Sequence, residues 1–163
     1  KSCPKLIIEV LTPDFCGVKE NIELVARAGA HVFGHNVETV KRLQKSVRDF
    51  RANYKQSLFV LEYAKKITPK IQTKSSIMVG LGEKPEEVLE AMKDLRAAKV
   101  DFLTIGQYLR PTAWNLKVVE YVTPEQFEWY HKEGLKLGFK YVAAGPFVRS
   151  SYKAGKFYKN LCK

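Results

Sequence analysis

Ser75-Ser76-Ile77-Met78-Val79-Gly80-Leu81 is followed by Gly82-Glu83-Lys84, then by Pro85-Glu86-Glu87-Val88 through Ala98, then by Phe102-Leu103-Thr104-Ile105-Gly106-Gln107. The first and last runs are nearly continuous in apolar character, as in strands of a parallel sheet covered by helices. Between them, Pro85 stands where a helix starts and Glu86 and Glu87 fill its first turn. Val88, Met92 and Leu95 then form one apolar stripe. Strand, helix, strand in this order is a βαβ unit. Its crossover is expected to be right-handed.

The pattern repeats outward. Leu6–Leu11 and His31–Asn36 read as further buried strands, and Tyr141–Ala144 as a weaker fifth. Helical spacing covers Asn21–Ala28, Val37–Ser46 and Asn53–Ile67. Thr123-Pro124-Glu125-Gln126 has the form of an N-cap and first turn, opening a helix that runs through Leu137 and stops at Gly138. Alternating strands and helices predict an α/β fold with parallel strands. Two architectures satisfy this order: a doubly wound sheet and a partial (β/α) barrel. A complete eight-fold barrel takes about 250 residues, and this chain has 163.

That length suits one domain with a real core, and 45% hydrophobic with 28% charged residues is ordinary globular composition. No apolar run reaches membrane-spanning length, and the opening residues show no signal-peptide pattern. The net charge of +11 suggests an acidic partner: nucleic acid, phosphate or an acidic protein. Towards the C-terminus Lys132, Lys136, Lys140, Arg149, Lys153, Lys156, Lys159 and Lys163 face a single acid, Glu133. The cysteines are Cys3, Cys16 and Cys162. Their spacing forms no disulfide framework, zinc site or CxxxCxxC cluster motif.

In parallel α/β folds, sites gather at the carboxyl ends of the strands. Four ends deliver polar residues or glycines: Thr12-Pro13-Asp14, His35-Asn36-Val37-Glu38, Gly80-Leu81-Gly82-Glu83 and Gly106-Gln107-Tyr108. Asn36 and Glu38 offer acceptors for vicinal hydroxyls; equally, they read as a helix N-cap and a first-turn acid. Gly80 and Gly82 allow close approach of a ligand to backbone, or simply a tight turn. His35 reads as a base or as a structural group, His31 and His131 as structural. Arg149-Ser150-Ser151-Tyr152, after the turn at Gly145-Pro146, could hold an anion, give an oxygen to a metal, or be a surface turn. There is no GxxxxGK[ST] loop and no GxGxxG.

Taken together, several stretches resemble the lipoyl synthase family of radical S-adenosylmethionine enzymes. They are Ile8 through Phe15, His35 through Val40, Thr73 through Glu83, Val100 through Leu109, Tyr121 through Pro124, and Gly145 through Tyr152. They run in the family's order over nearly the whole chain. The family usually has Asn at the position of Gly34 and Gly at that of Ser76.

The resemblance implies a partial barrel of the radical S-adenosylmethionine type. It also implies insertion of two sulfur atoms at C6 and C8 of an octanoyl group held on a lysine of an acidic carrier domain. Such enzymes use two 4Fe–4S clusters and S-adenosylmethionine. One cluster cleaves the cofactor to a 5′-deoxyadenosyl radical, and the second is consumed as the sulfur source. Carried over by position, Ser150 is the oxygen ligand of the second cluster, with Ser151 the other choice. Asn36, Glu38, Lys74, Gly80 and Gln107 contact cofactor, and Arg149 contacts substrate. The implied partners are octanoylated lipoyl carrier domains or the glycine cleavage H protein, with ferredoxin or flavodoxin as electron donor; neither membrane nor nucleic acid is implied. The implied location is a mitochondrion or plastid in a eukaryote, the cytoplasm in a bacterium.

The family's cysteine motifs precede the first strand here, so residues 1–163 correspond to the C-terminal part of the barrel, with 139–163 an extension carrying the serine ligand. The chain alone is expected to bind neither cluster properly and to be inactive, and to expose a strand edge at Leu6–Leu11. The rival reading is a non-catalytic basic α/β module that binds nucleic acid or an acidic protein. A third is a barrel enzyme acting on a phosphate-bearing substrate.

Overall fold

A computed structural model describes residues 6–152. Five strands form one parallel sheet in sequence order: β1 (Glu9–Leu11), β2 (Val32–Gly34), β3 (Gln72–Val79), β4 (Phe102–Gln107) and β5 (Tyr141–Gly145). Each strand pairs in parallel with the next, as in Leu103 beside both Ser75 and Val142. Consecutive order and an unclosed sheet are the geometry of a partial barrel. A doubly wound sheet would reverse its order at a switch point. The helices are α1 (Lys19–Ala26), α2 (Gln44–Val47), α3 (Tyr54–Ile67), α4 (Pro85–Ala97) and α5 (Pro124–Lys136), with 3-10 turns at Phe15–Gly17 and Lys41–Leu43.

Strand alternation decides which residues the helices cover. Phe33, Ile77, Val79, Leu103, Ile105 and Val142 belong to the core beneath the helices, together with Val88, Met92 and Leu95 of α4 and Phe127 of α5. Met92 and Leu95 are fully buried, and each such side chain contributes about 1.5–3 kcal/mol of transfer free energy. The alternate positions Gly34, Ser76, Thr104, Gly106, Ala143 and Gly145 turn to the concave face. They are small, and they leave room there. Gly134 lies within the helical span of α5 for a packing reason: a Cβ would sit 2.7 Å from Val142 Cγ2.

The helix ends follow from the sequence. Asn53 caps α3 by accepting from the amides of Lys55 and Gln56. Thr123 caps α5 by accepting from Gln126. At α4, Glu87 reaches back to the amide of Lys84 at 2.8 Å, and Pro85 occupies the first turn.

One expectation fails. Val37–Ser46 is not a helix. Glu38 instead forms a bridge to Ile77 of β3, with its amide on the Ser76 carbonyl and its own carbonyl accepting from Met78. The Ser75 hydroxyl accepts from the Val37 amide at 3.2 Å. Helical structure begins only at Lys41, so Asn36 is not a helix cap and Glu38 is not a first-turn acid. The apolar spacing of Val40, Leu43 and Val47 imitates a helical stripe, but the sheet claims the backbone first. Two strands are also offset from their apolar runs: β1 is confined to Glu9–Leu11, and β3 starts at Gln72 and ends at Val79.

β1 lies at one edge of the sheet, and Leu6, Ile8 and Leu11 there are 61%, 44% and 61% exposed. Among the described residues no strand covers that edge. Of the proposed extension 139–163, Tyr141–Gly145 is the fifth strand, and residues 153–163 lie outside the described residues, as do Cys3 and Cys162.

Candidate functional site

A cleft of about 400 Å³ opens at the carboxyl ends of the strands. Its walls come from every strand but the first: Asn36 and Glu38 after β2, Ser76 and Met78 of β3, Gly106 of β4, and Arg149 and Ser150 after β5. The connection after β4 closes one side with Leu109, Pro111, Asn115 and Leu116. A volume of this order suits a nucleoside-sized ligand.

Glu38 has φ +64°, the left-handed region, which costs a non-glycine residue about 1–2 kcal/mol. The two bridge hydrogen bonds to β3 hold it there. Asn36 Nδ2 donates to Glu38 Oε1 at 3.1 Å, so amide and carboxylate are aligned as one acceptor-rich edge. Strain retained in a polar pair beside a cleft is a mark of function. No sequence pattern announces it, because glutamate is not a left-handed residue by preference.

The C-terminal segment reaches the cleft through two tight turns, Val148 N to Gly145 O and Tyr152 N to Arg149 O. Val148 and Tyr152 pack with Ala143 and Tyr141 on the concave face of β5. Gly106 makes this possible: a Cβ there would lie 2.2 Å from the Val148 carbonyl oxygen. The anchored Val148 and Tyr152 leave Ser150 half-buried on the cleft wall and Ser151 exposed to solvent. Arg149 Nη1 donates to the carbonyls of Val148 at 2.8 Å and Gln107 at 3.3 Å. It has no carboxylate partner among the described ion pairs, so its charge stays available to an anion.

Of the remaining expected site residues, Gln107 lines the cleft and Lys74 and Gly80 do not. Lys74 is buried in an ion pair with Glu9 at 2.7 Å on the concave face, away from the cleft lining. Gln107 spends its amide on the chain: Nε2 donates to the carbonyls of Tyr108 and Glu120, and Oε1 accepts from the Val122 amide. It lines the cleft with its amide already bonded within the chain. Gly80 does need to be glycine, with φ +97°, but a Cβ there would meet Gln107 Nε2 at 2.2 Å and the Glu120 carbonyl at 2.4 Å. Its closeness therefore serves the 119–122 segment. Glu83 accepts from the amides of Gly80 and Leu81, which completes that turn.

His35 is structural. Its Nδ1 donates to the Thr12 carbonyl at 2.9 Å, so Nε2 accepts from the Ser57 hydroxyl at 2.9 Å. Ser57 in turn accepts from Arg48 at 2.8 Å. Burial, with Arg48 nearby, lowers the histidine pKa against the opposing hydrogen bond to Thr12. Arg48 was not anticipated. It borders a second cleft that shares Asn36 and Glu38 with the first, and burial lowers its pKa while Glu38 and Asp14 oppose.

The cleft is largely apolar, and in Asn36 and Glu38 it offers one acceptor edge of the kind that suits the vicinal hydroxyls of a nucleoside-bearing cofactor. It does not by itself fit an iron–sulfur cluster, which is held by several cysteine thiolates. Cys16 is the single cysteine among the described residues, and no cluster of three His, Cys, Asp or Glu able to hold a metal occurs among them. Ser150 offers one ligand atom. Among the described residues no helix is long and apolar enough to cross a membrane.

Residues 2–95 match the family model of the radical SAM superfamily. The chain is 57% identical over 161 residues, 98% of its length, to "Lipoyl synthase, apicoplast" of Plasmodium vivax (strain Salvador I), covering 36% of that protein. It is 59% identical over 157 residues, 96% of its length, to "Lipoyl synthase, mitochondrial" of Trichoplax adhaerens, covering 45% of it. To "Lipoyl synthase, mitochondrial" of Homo sapiens it is 58% identical over 159 residues, 97% of its length, covering 43%. The chain thus spans about a third to a half of the curated relatives it matches.

Proposed function

The chain belongs to the radical SAM superfamily, and from that premise we propose that it is the C-terminal part of a lipoyl synthase, an enzyme that inserts two sulfur atoms into a protein-bound octanoyl group. The observation that carries the reading is the convergence of two chemistries in one cleft. Asn36 and Glu38 form an acceptor edge suited to a ribose, and Ser150 faces the same space from the C-terminal turn. Identities of 56–59% along nearly the whole chain support it.

Within this reading each residue has a limited task. Asn36 and Glu38 orient the cofactor by accepting from its hydroxyls. Ser76, small and on the cleft wall, borders the space for the planar base. Leu109 and Leu116 exclude water from the cleft and line a path for an alkyl chain. Arg149 holds a carbonyl or carboxylate of the substrate by charge-assisted hydrogen bonds. Ser150 supplies an alkoxide oxygen to an iron–sulfur cluster, and the thiolate ligands come from outside these residues. When bound, S-adenosylmethionine supplies the adenosyl radical that removes hydrogen from the acyl chain. The substrate is an octanoylated, acidic carrier domain, consistent with the net charge of +11. The electron donor is a small redox protein. Because several relatives are named for the apicoplast or mitochondrion, an organelle is the expected site of action in a eukaryote.

The test uses the full-length protein with its clusters reconstituted, together with S-adenosylmethionine, a reductant and an octanoylated carrier domain. Intact-mass analysis is expected to find the carrier heavier by two sulfur atoms. Cofactor turnover without sulfur on the carrier contradicts the reading. So does salt-resistant RNA binding with no turnover, which favours the basic-module alternative.

A further inference from the structure

The connection between β4 and α5, residues 108–123, contains neither helix nor strand, yet it is built rigidly. Tyr108 donates its hydroxyl to the Leu116 carbonyl at 2.9 Å. Arg110 Nε donates to the Asn115 carbonyl at 2.9 Å, and the same guanidinium also reaches the Ala113 carbonyl. Thr112 Oγ1 donates to Asn115 Oδ1 at 2.7 Å. The far end is tied down by Val119 and Glu120 amides on the Gly80 carbonyl and by the Gln107 amide. Loops of this length inside a compact domain are usually functional.

What the loop displays is unusual for a surface. Trp114 is 97% exposed, and Val119 and Tyr121 are 67% and 72% exposed. An ordered loop holding out a tryptophan has already met the entropic cost of ordering it, which favours binding. Tryptophan is also the residue type most enriched at interface hot spots. Arg110 and Lys117 flank it, and neither has a carboxylate partner among the described ion pairs. The inner side of the same loop, Leu109, Pro111, Asn115 and Leu116, is a wall of the cleft. A partner seated on the outer side is therefore at the cleft mouth.

We propose that the outward face of this loop, centred on Trp114 and Lys117, is the docking surface for the acidic carrier domain whose acylated lysine enters the cleft. The inference rests on the proposed function and adds the place where the protein part of the substrate is recognised. An apolar centre flanked by Arg110 and Lys117, against Glu120 as the one acid of the loop, calls for the reverse on the partner: an apolar spot ringed by carboxylates, beside the modified lysine. Trp114 and Lys117 line neither cleft, so their removal spares the acyl-binding groups.

The experiment compares two substrates of the full-length, reconstituted protein: an octanoylated acidic carrier domain and a short octanoyl-lysyl peptide. Trp114→Ala is expected to raise KM for the domain about tenfold with kcat little changed, the scale of an exposed hot spot, and to leave the peptide unaffected. Lys117→Glu, an exposed substitution that keeps the loop's hydrogen bonds, is expected to lower kcat/KM for the domain and weaken its dependence on salt. Equal effects on both substrates, or no effect on either, overturn the docking surface while leaving the proposed function standing. Failure of the unsubstituted protein to turn over either substrate overturns the proposed function instead.

Discussion

The two ends of the sheet are built on opposite principles. At the amino ends of β3, β4 and β5 the charges are neutralised. Asp101, 4% exposed, accepts from Lys65 at 2.6 Å, Lys140 at 3.0 Å and the Thr73 amide at 3.0 Å. Burial pushes its carboxyl pKa up, but these donors outweigh it and hold the group below its ordinary value. At the carboxyl ends Arg42 pairs with Glu87 beside Gly82, but the charges around the cleft are left open. Among the described residues Arg110 and Arg149 bond only to carbonyls, Glu38 is held in a strained conformation, and Ser150 faces a cleft. One end closes the fold and the other keeps polar groups ready for a ligand.

Asp101→Ala gives the largest expected effect. Removing one partner of a buried, multiply bonded carboxylate costs about 3–5 kcal/mol, read as a lower denaturation midpoint. Nucleoside binding at the opposite end should survive wherever the variant is folded. If binding falls in proportion, the two ends are not separable.

Gly106→Ala comes next. Its Cβ collides with the Val148 carbonyl, and overpacking of this kind costs about 1–3 kcal/mol. Because Ser150 rides on the displaced turn, sulfur transfer should fall further than cofactor cleavage; an equal loss of both would detach Ser150 from this anchor.

Glu38→Gly sharpens the contrast by separating stability from function. Relief of the left-handed strain, less the added chain entropy of glycine, should stabilise by about 0.5–1 kcal/mol, while affinity for S-adenosylmethionine drops. A destabilised variant would show that the carboxylate itself supports the fold.

The smallest effect is with pH. His35 is buried neutral with a folded-state pKa below the ordinary 6.5. Its contribution is complete above 6.5 and is lost as pH falls through the folded value, because the unfolded chain then binds the proton preferentially. Denaturation midpoints should decline below pH 6.5, and His35→Gln should flatten that decline.

Much of this was legible in the sequence where hydrophobic pattern and local signals agreed. β4 runs from Phe102 to Gln107 as its apolar run indicates, and α4 and α5 start at Pro85 and Pro124 beside their caps. The family resemblance was legible too, as was the meeting of Asn36, Glu38, Gln107, Arg149 and Ser150 at one cleft. What was hidden depended on tertiary competition. Glu38 was drawn into the sheet by β3, against an apolar spacing that suited a helix. Gly80 and the Gln107 amide hold Glu120 and Val122, contacts distant in sequence that no local pattern announces. The loop around Trp114 has no periodic signal, because carbonyl contacts from Arg110 and Tyr108 make its rigidity.

The central claim is that one cleft holds two separable functions, and paired substitutions in the full-length protein test it directly. Asn36→Ala should abolish both 5′-deoxyadenosine and lipoyl product, whereas Ser150→Ala should abolish lipoyl product and still yield 5′-deoxyadenosine. Full lipoyl formation by the Ser150 variant would contradict the account.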